Sequence, residues 1–139
     1  LPMLLFAPNI IGIILSVIAI MAIGMAWYSP SLFGRQWLAM TPFAKMSKKE
    51  MQQKAKLGYM VSLGSGIIMA FIFNAILQTM SVHSAGEACV YGLVLWAGFI
   101  ATTLANNYAF NQKPLKLFAI DAGYYLASVL ATGIILVSL

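Results

Sequence analysis

Residues 10–28 read IIGIILSVIAIMAIGMAWY and contain neither a charged residue nor a proline. At a helical rise of about 1.5 Å per residue, this run spans nearly the whole of a hydrocarbon core about 30 Å thick. Pro8 suits the first turn of a helix, and Ser29-Pro30 ends it because proline cannot continue the hydrogen-bond ladder. The run therefore predicts a membrane-spanning helix over residues 9–29.

Three further apolar runs follow at residues 57–82, 88–112 and 117–139, and each is long enough to cross a bilayer. Of the whole chain, 8% of residues are charged and 62% are hydrophobic, whereas a soluble domain has about a quarter of its residues charged. We therefore predict an all-α polytopic membrane protein with a single membrane domain over residues 1–139. It is expected to be a bundle of four transmembrane helices, with an interfacial loop between the first two.

All the lysine and arginine residues fall in the loops after the first and third spans. They are Arg35, Lys45, Lys48, Lys49, Lys54 and Lys56 in the first loop, and Lys113 and Lys116 in the second. Cytoplasmic loops are enriched in these residues, so we expect both termini on the non-cytoplasmic side, or its organellar equivalent. Because there is no long basic tail, the charge indicates topology and not a nucleic-acid partner. Residues 1–7 have no basic segment, so no intact signal peptide is expected there.

Small residues recur at intervals of four along three of the spans. They are Gly58, Ser62, Gly66, Ala70 and Asn74 in the second span, Ala97, Ala101, Ala105 and Gly98, Thr102, Asn106 in the third, and Ala119, Gly123, Ala127 and Ala131 in the fourth. Helices already in lipid associate largely through close packing of such residues, so we expect these ridges to hold the helices together. The simpler alternative is that glycine and alanine are merely common in membrane helices. Ser47 with Glu50, and Ser84 with Glu87, are predicted capping boxes at helix starts.

Asp121 is the one charged residue within the four spans. A carboxylate at the bilayer centre costs about 2.5 kcal/mol or more, so Asp121 is expected to point inward and to have a partner. Asn106, Tyr28 and their neighbours lie at a similar depth, and Arg35 or Lys116 is a candidate partner. We consider two interpretations, a proton or cation site and a structural pin that locks helix ends, and favour the pin.

No other residues form a convincing catalytic or metal site. His83, Glu87 and Cys89 lie in one short segment, which leaves a metal with too few ligands, so helix capping and apolar packing are the preferred roles. No nucleophile and base occur at usable spacing, and we expect neither an enzyme nor a cofactor. Asn74 and Gln78, four residues apart, are expected to pair with a neighbouring helix.

Residues 24–37, GMAWYSPSLFGRQW, contain a W-Y-S-P-x-L-F-G motif. Together with Trp96-Ala-Gly98-Phe99 and Asp121-Ala-Gly123-Tyr124, this motif resembles the domain of unknown function 1761 family, whose members are small four-span membrane proteins. The resemblance covers nearly the whole chain and implies four spans in one domain, with no activity assigned. The motif and interface anchors it indicates are Trp27, Pro30, Phe33, Gly34, Trp37, Trp96 and Gly123, beside a polar or ion site at Asp121, Asn106 and Tyr28.

The leading hypothesis is a non-enzymatic integral membrane protein, an accessory or scaffolding subunit of a membrane complex or a homo-oligomer. Its expected partners are the lipid bilayer and either other membrane subunits or further copies of itself. An alternative is a small ion, proton or solute transporter that uses Asp121. A further alternative is the binding of a lipid, quinone or pigment between helices.

Overall fold

The computed structural model describes residues 7–139, and every element of secondary structure in that range is helical. In chain order the helices are α1 (Ile10–Trp27), α2 (Gly34–Ala39), α3 (Lys48–Thr79), α4 (Ala85–Leu95), α5 (Thr102–Phe110) and α6 (Leu115–Ser138). A π-helical segment at Trp96–Ala101 joins α4 to α5 into one continuous rod. The four helices long and apolar enough to cross a membrane are α1, α3, the rod Ala85–Phe110 and α6. The predicted all-α fold with four such helices is confirmed. Two expectations concern residues 1–6, which lie outside the described range: the N-terminal end of the predicted domain and, for the most part, the absence of a signal peptide.

Side-chain caps mark where α3 and α4 begin. The Ser47 hydroxyl accepts from the Glu50 amide at 3.2 Å and the Ser84 hydroxyl accepts from the Glu87 amide at 3.2 Å. These bonds are the serine half of the two predicted capping boxes, and within residues 7–139 no reciprocal bond from a serine amide to the Glu50 or Glu87 side chain occurs. Because α3 starts directly after Ser47, the cationic stretch before the second span belongs to the helix, which runs for 32 residues.

The predicted interfacial loop between the first two spans is itself partly helical. It contains α2 and a short 3-10 helix at Pro42–Lys45, and its residues are exposed or half-buried. Its two charged residues, Arg35 and Lys45, lie among aromatic and other apolar residues, a composition that suits a segment at a membrane surface. The loop therefore leaves α1 through a compact turn and returns to the start of α3.

The helix α6 lies at the centre of the bundle and packs against α1, α3, α4 and α5. Phe73 and Leu77 of α3 and Val129 of α6 belong to the buried core. Close approach occurs at glycines: a Cβ added at Gly92 would meet Val129 at 3.0 Å, and one added at Gly133 would meet Phe73 at 3.2 Å. These two glycines, which the predicted ridges do not include, therefore allow the helices to approach closely.

The predicted small-residue ridges differ in what they contact. On α3, Gly66, Ala70 and Asn74 are buried, and the position of a Gly66 Cβ lies 3.8 Å from Ile20 of α1. On the third span the ridge of Gly98, Thr102 and Asn106 is exposed, and a Cβ added at Gly98 has nothing within 4 Å of it. In the other predicted ridge Ala97 and Ala105 are exposed and Ala101 is half-buried. Within residues 7–139, only 11% of that span's apolar window is buried, against 44% for α6. The physical reason is that α6 packs against the other side of the rod.

Candidate functional site

Asp121 lies in the second turn of α6 and is 8% exposed. The Tyr28 hydroxyl, at the end of α1, donates to Asp121 Oδ1 at 2.6 Å. The Tyr108 hydroxyl, on α5, donates to Asp121 Oδ2 at 2.5 Å. Each carboxyl oxygen thus has its own donor, and the two donors come from different helices, so Asp121 ties together α1, α5 and α6.

Two tryptophans bind the backbone on either side of this carboxyl group. Trp27 Nε1 donates to the Ile120 carbonyl at 2.9 Å, and Trp96 Nε1 donates to the Ala122 carbonyl at 2.9 Å. Trp27 ends α1, and Trp96 opens the π-helical segment of the third span. In lipid, such N–H groups need a partner inside the protein, and the carbonyls of one turn of α6 supply it.

The motif after α1 forms a compact turn that carries the aromatic rings to the site. The Phe33 amide donates to the Trp27 carbonyl at 3.0 Å, and the Gly34 amide donates to the Ser29 carbonyl at 2.9 Å. A Cβ added at Gly34 would clash with the Tyr28 carbonyl oxygen. Only glycine therefore fits at this position of the motif.

Aromatic contacts then extend the site outward from Asp121. The Tyr28 ring meets Trp37 edge-on with centroids 5.5 Å apart, and Trp37 in turn lies 5.3 Å from Phe43. The Trp27 ring lies 5.1 Å from Phe33 and also rests on Gly123, where an added Cβ would meet it at 3.0 Å. Trp27 thus lies directly against α6, and the other rings extend the aromatic surface along the connection between α1 and α3.

The residues that form the site are not all those that the sequence predicted. Asp121 and Tyr28 come together, as the sequence analysis proposed, and Trp27 contacts the same turn. Asn106 does not join them: it is exposed, and no hydrogen bond of its carboxamide is present among residues 7–139. Its position on the helix explains this, because it lies on the outward face of α5.

The partners of Asp121 are tyrosines and not the expected cation, Arg35 or Lys116. In the described part of the chain neither Arg35 nor Lys116 forms an ion pair with the carboxyl group, and both are exposed. Lys113 contacts the site through an aromatic ring: its Nζ lies 4.7 Å from the centroid of the Tyr108 ring. Tyrosine hydroxyls provide the partner, which lets the lysine and arginine side chains stay in water.

Tyr108 and the backbone contact of Trp96 are the site features that sequence reasoning missed. Tyr108 has a usable signal, because it lies near the end of the third span at the depth of Asp121 and carries a hydroxyl donor. The acceptors for Trp27 and Trp96 are backbone carbonyls, and no residue type marks a carbonyl. Pro30, the remaining anchor, is exposed in the turn after α1.

A second polar cluster lies at the opposite end of the bundle. The Asn9 amide donates to Asn74 Oδ1 at 3.0 Å, Asn9 Nδ2 donates to the Leu136 carbonyl at 3.3 Å, and Gln78 Nε2 donates to the Ala7 carbonyl at 2.8 Å. Asn74 and Gln78 thus both bind the segment leading into α1. Their role here is interhelical, and each end of the bundle has its own polar connection.

Neither of the two most evident concavities reaches Asp121. One is a shallow, open groove along the cationic end of α3, lined by residues of that helix alone. The other, of about 180 Å³, is lined by the apolar residues Met69, Ile72, Phe73, Ile76, Leu95, Phe99, Ile100 and Val129. This second groove has no polar side chain to orient a quinone or pigment. Among residues 7–139 no three His, Cys, Asp or Glu side chains are grouped to hold a metal ion.

Comparison with known proteins gives one match. The family described as "Protein of unknown function (DUF1761)" matches residues 11–137, which is nearly the whole chain and includes the site at Asp121. No curated protein and no solved structure matches. The chain therefore belongs to the DUF1761 family.

Proposed function

We propose that the chain is a non-enzymatic membrane subunit, accessory or scaffolding in role, that assembles through its third span. The observation that carries the proposal is the low burial of that span, 11% of its apolar window, within the described residues. Its outward face presents Gly98, Thr102 and Asn106, spaced four residues apart. A face of this kind allows another helix to approach closely.

Asn106 makes a second copy of this chain the preferred partner. Its carboxamide carries both donors and an acceptor, and an unpaired amide facing hydrocarbon is costly. In a two-fold interface each contact occurs twice, and a residue close to the axis meets its own copy. We propose that Asn106 lies close to the axis, where the carboxamides of the two copies pair. Thr102 and Gly98 then lie on the same contact face, the Thr102 hydroxyl already donating to the Gly98 carbonyl at 2.8 Å.

The Asp121 cluster, which comprises Asp121, Tyr28 and Tyr108, also supports a structural role. Both carboxyl oxygens accept from tyrosines, and neither evident groove reaches them. A carboxyl group held in this way pins three helix ends and keeps the outward face of the third span in a fixed orientation. We place this end of the bundle in the cytoplasm, because both cationic loops adjoin it.

Self-association in mild detergent or liposomes tests the proposal. Asn106→Leu is expected to weaken dimer formation about threefold or more, the effect of losing an interhelical hydrogen bond in a membrane. Asn107→Leu is the matched control, because Asn107 Oδ1 already accepts from Asn111 at 3.3 Å within the same helix. A monodisperse monomer that purifies without partners would contradict the proposal, as would equal effects of the two variants.

A second candidate function is a carrier for protons or small cations. The observation in its favour is a buried carboxyl group within a span, flanked by two hydroxyl groups that are able to exchange protons. Ion flux into liposomes tests it, with Asp121→Asn expected to abolish flux and Glu87→Gln, an exposed carboxyl group at the other end, expected to leave it intact. Absence of flux for every tested ion would exclude this candidate.

A further inference from the structure

We propose that the open groove beside α3 binds the headgroup of an anionic phospholipid. This groove is a shallow, open surface on one side of α3, and no other helix lines it. Its residues are Met51, Gln52, Ala55, Lys56, Tyr59 and Met60. This binding is separate from assembly through the third span, since the two surfaces use different helices. It would give the protein a preference among the lipids of its own leaflet.

The charge around the groove selects an anion. Every lysine and arginine of the chain lies in the loops at this end of the bundle or in the first turns of the helices that adjoin them, and every one is exposed. The acidic residues at the same end are the exposed Glu50 and the buried Asp121. Within the described range no lysine or arginine is in an ion pair, so their charge is directed to the surroundings.

The depth of the groove selects a lipid over a dissolved anion. A helix of 32 residues is about 48 Å long, well beyond a hydrocarbon core of about 30 Å. The last charged residue before the apolar run is Lys56, and residues 57–79 are long enough to cross. The border between headgroups and acyl chains therefore falls beside Lys56, and the groove extends to either side of that border.

The groove residues match the two parts of a phospholipid. Gln52, Lys56 and Tyr59 are three or four residues apart, so their side chains lie on one face of the helix. They offer amide, ammonium and hydroxyl donors to a phosphate group. Met60, one turn deeper and 63% exposed, provides apolar surface for the start of an acyl chain. The positive-inside rule requires only that the cations lie on one side of the membrane. It does not require the order along α3, from hydrogen-bond donors to an apolar side chain.

The test counts lipids bound to the full chain in detergent micelles by native mass spectrometry. Phosphatidylglycerol and phosphatidylcholine are compared for the wild type, Lys56→Gln and Lys54→Gln. The two variants remove the same charge from the same helical extension, but Lys54 does not line the groove. Because both side chains are exposed, neither change is expected to disturb folding, and helix content by circular dichroism checks this.

The proposal predicts that Lys56→Gln weakens phosphatidylglycerol binding about fivefold, the effect of one lysine near a membrane surface, while Lys54→Gln leaves it nearly unchanged. Tyr59→Phe is expected to weaken it in the same direction, and phosphatidylcholine binding is expected to be weaker than that of phosphatidylglycerol. An equal or larger loss in Lys54→Gln, or equal binding of the two lipids, would overturn the proposal. Binding of inorganic phosphate with the same dependence on Lys56 would overturn the lipid as the ligand.

Discussion

Among single residues, Asp121 connects three helices: it lies on α6 and accepts from Tyr28 at the end of α1 and from Tyr108 on α5. Its carboxyl oxygens accept from Tyr28 and Tyr108, and the carbonyls on either side of it accept from Trp27 and Trp96. A buried carboxyl group is tolerated in a membrane only with such partners. Asp121 therefore stabilises the bundle through its neighbours, and removing one of those neighbours should be measurable.

Tyr28→Phe and Tyr108→Phe test this directly. Each variant keeps the ring and removes one hydroxyl donor, so each is expected to lower the free energy of unfolding by about 1–3 kcal/mol. Unfolding in mixed micelles of increasing denaturing detergent measures the change. Tyr59→Phe, on an exposed ring of α3, is the control, and in micelles without anionic phospholipid it is expected to have little effect.

A double-mutant cycle identifies the source of the loss. In an Asp121→Ala background the hydroxyl groups no longer have their acceptor, so Tyr28→Phe is expected to cost much less than in the wild type. If the cost stays the same, the hydrogen bond to Asp121 is not what stabilises the chain.

Among the elements, the turn after α1 depends on one glycine. A side chain at Gly34 would press against the Tyr28 and Ser29 carbonyl oxygens, and a backbone contact cannot be relieved by a rotamer change. Gly34→Ala is expected to destabilise the chain by about 3 kcal/mol or more and to loosen Trp37 from Tyr28. Thermal unfolding followed by tryptophan fluorescence measures both effects, and a fully stable variant would contradict this description of the turn.

A second prediction concerns the contact between α1 and α6. Gly123→Ala forces the Trp27 ring to move, since the added Cβ would lie 3.0 Å from it, and is expected to cost about 1 kcal/mol or more. Gly64→Ala is the matched control, because an added Cβ at Gly64 has nothing within 4 Å in the described structure. Equal stability of the two variants in detergent unfolding would show that the ring does not pack closely there.

The length of α3 predicts where the lipid boundary lies. Amide hydrogen exchange of the protein in nanodiscs is expected to be fast over residues 48–56 and slow from residue 57 onward, because hydrocarbon excludes water from the helix. Slow exchange from the very start of α3 would mean that the whole helix is covered, and the groove at Lys56 would then lie at the wrong depth for a headgroup.

At this scale, the sequence predicts the elements well. Long uncharged runs mark the spans, and Ser47 and Ser84 mark helix starts, because both signals are local. The outward direction of the Gly98 ridge was not predictable, because spacing shows that residues share a face but not which neighbour that face meets. For the same reason Asn106 was expected at Asp121, where Tyr108 lies instead.

At the scale of the whole molecule, the fold brings the Asp121 cluster and the lipid groove to the same end of the bundle. The turn between α5 and α6 and the loop between α1 and α3 must lie at the same end, because Tyr28 and Tyr108 meet on one carboxyl group. Both of these connections carry the cations of the chain. If the four long helices all cross the bilayer, every cation remains on one side.

Labelling of single cysteines from one side of sealed vesicles tests this arrangement most directly. In a Cys89→Ala background, Gln53→Cys on α3 and Asn111→Cys after α5 are expected to react with an impermeant maleimide from the same side, and His83→Cys from the opposite side. All three positions are exposed, and none removes a lysine or arginine. Labelling of Gln53→Cys and Asn111→Cys from opposite sides would contradict the four-span bundle, and with it the assignment of the Asp121 site and the lipid groove to one membrane face.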